Sequence, residues 1–347
     1  MAIPPRATVE RMAFLTHECG AENRSIVLSL FRTSRIAAKI DQIVNFFLRG
    51  GHHSRAFAAL LTSSLCQQHV SWESLVSWLE IDEERLRASI RKSEIAGLFS
   101  EGRNWNMFTS AQLAEYILRT KYVAADKDTL VEVFTTIVRS TAESASDSHL
   151  GATFRENLKE LMKFRFLTRL FGDDAPALQL INIVYKRLSG APFIRGNPQF
   201  WLQYAMSRSE VDDLENAETY LNTALGLAIK LVRNYSPFQI LDQRARLYFR
   251  KNCKLPGRFN VSEIRTAIDD LGNLLGDRHN EIIYLFRSVP LIRDFLDAKI
   301  DDCDDELRAG IRGLLEKMKA AGEGYTRLPR SQKGETPVLR KALRGCL

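Results

Sequence analysis

Between Ile26 and Leu48 the apolar residues Val27, Leu30, Phe31, Ile36, Ile40, Ile43, Val44 and Phe47 recur with the spacing of one helix face. Gly50-Gly51 ends this long helix, because two glycines weaken helical backbone and supply a left-handed cap. Ser54 to Cys66 is apolar enough for a buried helix. Ser71-Trp72-Glu73-Ser74 opens a second as a capping box, and Asp82 caps a third that runs to about Ser93. The period changes only at Gly97 to Phe108, where apolar runs flank Glu101-Gly102-Arg103-Asn104 and predict the chain's one β-hairpin. Helical spacing then returns from Ser110 to Arg119.

Three helices followed by a small wing is the order of a winged-helix domain, whose DNA-binding versions place the third helix in the major groove. The candidate reading head, Asp82 to Trp105, carries Arg85, Arg87, Arg91, Lys92 and Arg103 against Asp82, Glu83, Glu84, Glu94 and Glu101. Phosphate neutralisation supplies much of DNA affinity, so a head of zero net charge points to a wing used as an internal spacer.

The polar run Ala142 to Gly151 reads as a domain boundary. Beyond it Phe154 to Phe171 reads as one amphipathic helix. Arg155, Lys159 and Lys163 fall at four-residue steps opposite Leu158, Leu161, Met162 and Leu170, a solvated face or a contact for an acidic partner or phosphate backbone. From Pro198 to Ile229 the tetratricopeptide spacing fits. Trp201 is the bulky first-helix residue, followed by Tyr204 and Ala205, with Ala217, Leu221 and Ala224 at second-helix positions. Small residues at 205 and 217 let two antiparallel helices approach closely, and the Tyr usual later in the first helix is replaced by Arg208. One hairpin cannot bury both its faces, so neighbours are required. Phe154 to Leu170 with Leu178 to Leu188 supplies a preceding pair. Gln239 to Phe249 with Ser262 to Leu275 supplies a following one, around a Lys254-Leu255-Pro256-Gly257 loop. Glu281 to Phe286, Leu291 to Ala298 and Asp305 to Met318 continue the stack.

The expected fold is therefore all-α: an N-terminal helical segment (1–50), a winged-helix-like domain with a short β-hairpin (51–120), a helix and linker (121–151), a tetratricopeptide-like helical repeat array (152–320) and a basic, unstructured tail (321–347). The 347 residues, 45% of them hydrophobic, suffice for real cores. The formal charge of +7 changes little. The tail has six basic and two acidic residues, so it carries +4 and leaves +3 for the body. Arg32, Arg35, Lys39 and Asp41 interrupt the longest apolar stretch, and the N-terminus lacks the apolar core of a secretory signal, so a cytoplasmic protein without membrane contact is expected.

Chemistry is sparse. The chain has no G-x-x-x-x-G-K-[ST], no strand-bound G-x-G-x-x-G, no H-E-x-x-H and no G-x-S-x-G. Cys19, Cys66, Cys253, Cys303 and Cys346 are odd in number and never paired as C-x-x-C, which reads as reduced thiols and core filler, although His17 beside Cys19 and His69 beside Cys66 leave a thiolate base open. His52-His53 lacks companions spaced for a metal. Asp301 to Asp305 lacks the glycine and late Glu of a calcium loop and reads as a helix N-terminal charge cluster. No catalytic residue, metal or cofactor is expected.

The long helix, the wing-bearing domain ending in Ser110 to Leu118, the run Phe200-Trp201-Leu202-Gln203-Tyr204-Ala205 and the run Asp213 to Leu221 together resemble the C-terminal half of bacterial STAND-type NTPases over residues 25 to 280. In that family a P-loop ATPase core precedes a winged helix and tetratricopeptide-like sensor repeats. The ATPase residues have no counterpart here and would lie upstream of Met1, so nucleotide hydrolysis does not carry over. The resemblance implies a non-catalytic interaction or sensor module of a defence or signalling protein. Its repeats would recognise a protein or nucleic-acid trigger, or dock a separate ATPase half. A winged-helix DNA-binding regulator is the alternative, and an enzyme with an unrecognised site rests only on the scattered His and Cys residues.

Overall fold

Every described element is helical, and local chemistry explains where the helices start. The computed structural model describes residues 31, 34–48, 51–65, 71–92, 111–145, 151–231, 235–276 and 282–326. The expected β-hairpin at 97–108, with Arg103, lies outside them, and no strand occurs among the described residues. The chain divides into two units, Met1–Gly196 and Asn197–Leu347.

The first unit contains α1 (Ser34–Leu48), α2 (Gly51–Leu65), α3 (Trp72–Leu79), α4 (Glu83–Arg91), α5 (Ala111–Ile117), α6 (Lys127–Ser144), α7 (Gly151–Leu161), α8 (Phe164–Phe171), α9 (Ala175–Ser189) and α10 (Pro192–Arg195). Ser71 caps α3 by accepting from Ser74 N, and Asp82 accepts from Arg85 N at the head of α4. The core forms around α6, which packs against α2, α3, α7, α9 and α10. Phe134 meets the rings of Phe166 and Phe171 there. The five-residue π-helical turn Leu118–Tyr122 follows α5, a local widening of the hydrogen-bond ladder that the apolar spacing gave no reason to expect.

Two boundaries differ from expectation. The single helix expected from Phe154 to Phe171 is two, because Lys163 adopts an extended ψ of 131° and Tyr185 OH donates to the freed Met162 carbonyl at 2.9 Å. The expected break before residue 152 is not where the units divide. Helices α7, α9 and α10 bury their apolar faces on α6, so the pair placed at the head of the repeat array belongs to the first unit.

The second unit contains α11 (Pro198–Glu210), α12 (Leu214–Lys230), α13 (Phe238–Lys254), α14 (Val261–Gly276), a 3-10 turn (Ile282–Ser288), α15 (Val289–Lys299) and α16 (Asp305–Thr326). Helix α11 packs on α12 and α13, α12 on α13, α13 on α14 and α15, and α14 on α16. Helix α16 runs six residues past the expected limit at 320, so Ala321 to Thr326 belong to a helix and not to the tail. Among the outward positions of α16, Arg312, Glu316, Lys317 and Glu323 are exposed, a charged outer face suited to the end of a stack.

Candidate interaction surface

Helices α11 and α12 approach through small side chains. Ala205, Ala217, Leu221 and Ala224 lie in one buried cluster with Leu202, Leu214, Ala228, Ile240 and Leu247, and Trp201 packs on its rim. Tyr204 stacks on Tyr220 at 4.2 Å, and Trp201 lies 5.4 Å from Tyr220. The structure thus brings together all six residues expected to build the hairpin. Burial pushes the Tyr204 phenol above its ordinary range. Arg208, where the pattern expects Tyr, donates from Nε to Asp213 Oδ2 at 2.9 Å and braces the turn between the helices. Asp212 in that turn has φ of 58°, a left-handed conformation that a short polar side chain tolerates. Arg250 and Lys254 of α13 donate to its Oδ1 at 2.6 and 2.7 Å, and they hold its carboxyl below the usual range, Lys254 most strongly.

Helices α13 and α14 meet differently. Ala245, Phe249, Ile264, Ala267 and Leu271 fill the middle of the seam. Its polar edge is ionic: Arg244 clasps Asp270 through two hydrogen bonds of 2.9 and 2.8 Å. Lys251 donates to Glu218 of α12 at 2.7 Å and to Glu263 of α14 at 2.9 Å, so one ammonium joins three helices. Asn252, fully buried, donates to Glu263 and accepts from Asn260 N.

The inner helices α11 and α13 are buried on nearly every side, whereas α12 and α14 are one-sided. On α12 the outward residues Glu215, Asn216, Asn222, Gly226, Ile229 and Lys230 are exposed. Ile229 at 60% and Leu231 at 42% exposure leave apolar surface at its C-terminal end.

The basic candidates are scattered. Arg85 and Arg91 on α4 and Lys92 just after it are exposed, while Glu83 pairs with Arg87. On α7, Arg155 and Lys159 are exposed, and Arg155 donates to the Ala145 carbonyl. Lys163 falls in the break after α7 and pairs with Glu160, so the expected four-residue stripe ends at Lys159. His53 shares a 2.8 Å hydrogen bond with Ser89, tying α2 to α4. Cys303 is buried in the second unit's core and Cys253 donates to the Asp294 carbonyl. Cys19, Cys66, Cys346, His17, His52's side chain and His69 lie outside the described set. Asp304 caps α16 by accepting from Leu307 N at 2.7 Å, the helix-start role expected of the acidic run. Among the described residues no group of His, Cys, Asp and Glu is arranged to hold a metal ion, and no helix is long and apolar enough to cross a membrane.

Two buried polar groups escaped the sequence reading. Glu115 of α5, fully buried, sits 3.7 Å from Arg119 and 3.5 Å from Arg169, and Arg119 also donates to Asp173 at 2.6 Å. Nearby Tyr122 OH lies 2.5 Å from Ser54 Oγ, which donates to Asp126 at 2.6 Å; burial raises the Tyr122 phenol well above its ordinary value. The second group, Asp242, Arg246 and Ser288, lies at the contact of α13 with the 3-10 turn. Its i, i+4 charges look like a solvated face, and only the burial of Asp242 in the folded unit shows otherwise. No protein-family model, curated protein or solved structure matches the chain.

Proposed function

We infer that this chain is a non-catalytic interaction module whose second unit holds a protein partner or trigger, in the manner of the tetratricopeptide-like sensor half of a STAND-type NTPase. The observation that carries the reading is the alternation of largely buried helices, α11 and α13, with one-sided helices, α12 and α14. Such a ladder keeps its form while the outward side chains vary, which suits a surface dedicated to recognition. The exposed apolar residues Ile229 and Leu231, flanking exposed Lys230 at the end of α12, are where a partner gains most from contact. The test is affinity capture with the full chain and with the double variant Ile229→Glu, Leu231→Glu. A partner retained by the wild type and lost by the folded double variant supports the reading; a wild type that retains no stable partner overturns it.

A DNA-binding role for the first unit is the second reading, favoured by the exposure of Arg85 and Arg91 on α4 and of Lys92 just after it. It requires that a duplex shift weaken with salt and disappear in the triple alanine variant at these positions. A shift that instead vanishes on removal of the basic residues after Thr326 rules it out.

A further inference from the structure

Helix α13 is polar at many positions and yet buried, and in one place its polar atoms are left without partners. Asp242 is 4% exposed. Among the described residues its Oδ1 has no hydrogen-bond partner, and its Oδ2 lies 4.0 Å from Arg246 Nη1, the outer limit of an ion pair. Arg246 Nε is likewise buried without a partner. So is the Oγ of Ser288, a fully buried residue that ends the 3-10 turn Ile282–Ser288 packed against α13. Leu285, Phe286 and Val289, close to Ser288 along the chain, are buried in the second unit's apolar core.

Sealed polar atoms destabilise a contact unless something pairs them. A single proton, exchanged with solvent, changes the arithmetic. Neutral Asp242 brings no charge into the buried contact. The ionised carboxylate brings in a charge whose paired guanidinium, Arg246, stands 4.0 Å away, and it gains from water or a closer guanidinium once the contact opens. We propose that the packing of α13 against the Ile282–Ser288 turn is a proton-operated joint, closed over neutral Asp242 and loosened, together with the α15 helix that follows the turn, when Asp242 ionises.

The groups acting on Asp242 define the window. Burial raises its pKa from an ordinary 3.8 to about 6. Arg246 on its own helix and Arg287 and Ser288 of the turn pull the other way. Arg250 one turn on, and Glu210 at the end of α11, act on Arg246. Arg287 lies with its guanidinium 4.9 Å from the Tyr284 ring at the exposed edge of the turn. The balance falls between mildly acidic and neutral conditions, a range in which an interaction module could lose or expose a surface.

Hydrogen exchange of the full chain at about pH 5 and about pH 7.5, corrected for the intrinsic pH dependence of exchange, tests this. Peptides over Ile282–Lys299 should exchange roughly tenfold faster at the higher pH, while peptides over Leu214–Lys230 stay unchanged. Asp242→Asn, which cannot ionise, should show the same protection at both. Equal corrected rates in the wild type overturn the proposal without recourse to any variant, and so does a pH difference that survives in folded Asp242→Asn.

Discussion

The two helical hairpins of the second unit solve one packing problem with different chemistry. In α11/α12 the helices close on Ala205, Ala217 and Ala224, and the aromatic stack of Tyr204 on Tyr220 fills what the alanines leave open. In α13/α14 an apolar middle is flanked by Arg244 with Asp270 and by Lys251 with Glu218 and Glu263. The first seam depends on shape and tolerates no added volume. The second depends on paired charges and tolerates no lost partner, since a buried ion left alone is far worse than no ion at all. The two hairpins should therefore fail under different insults.

The largest effect is expected in the ionic seam. Arg244→Ala leaves Asp270 largely buried without its bidentate partner and should cost about 3–5 kcal/mol in urea unfolding. The double variant with Asp270→Asn should recover part of the loss, and additive losses would show that the clasp contributes nothing as a pair. Acidity should separate the hairpins next. Asp242 has a folded-state pKa of about 6 against an ordinary 3.8, so burial disfavours its ionised form. Its contribution is full below about pH 3.8 and is lost as pH rises through about 6. Wild type should thus lose roughly 3 kcal/mol across that window relative to Asp242→Asn. A difference curve between the two that is flat from about pH 4 to pH 6.5 would contradict the burial of this carboxylate.

In the shape-dependent seam, Ala217→Leu should destabilise by about 1–3 kcal/mol through overpacking, whereas Asn222→Leu on the exposed face of the same helix should stay within about 0.5 kcal/mol. Equal effects at the two positions would mean that α12 does not turn its alanines inward. The smallest change is expected at Asp212. It is solvent-exposed, so Asp212→Asn should shift stability by less than about 1 kcal/mol even though two cations touch it, and salt should shrink that further.

The contrast also explains which parts were legible in the amino-acid order. The α11/α12 hairpin could be read because small residues at 205, 217 and 224 recur at fixed spacing, and helix α12 alternates sharply between buried and exposed positions. Helix α13 hid its role. Asp242, Arg246 and Arg250 stand at four-residue steps, as on any solvated helix, and nothing local distinguishes a charged face that meets water from one that meets a neighbour. The break at Lys163 was hidden for a related reason: the apolar spacing of Leu158, Leu161, Met162 and Leu170 continues across it, and the hydroxyl that compensates the interruption belongs to Tyr185, far along the chain.

Hydrophobic periodicity and capping residues, which act over one or two helical turns, were enough to indicate a mostly helical protein, helix starts at Ser71, Asp82 and the acidic run before α16, and the close hairpin at Ala205 and Ala217. Where the units divide, which helices are largely enclosed, and which carboxylates are stripped of water were decided by the tertiary structure alone. Burial is a sum over neighbours from distant parts of the chain, and no local pattern contains that sum.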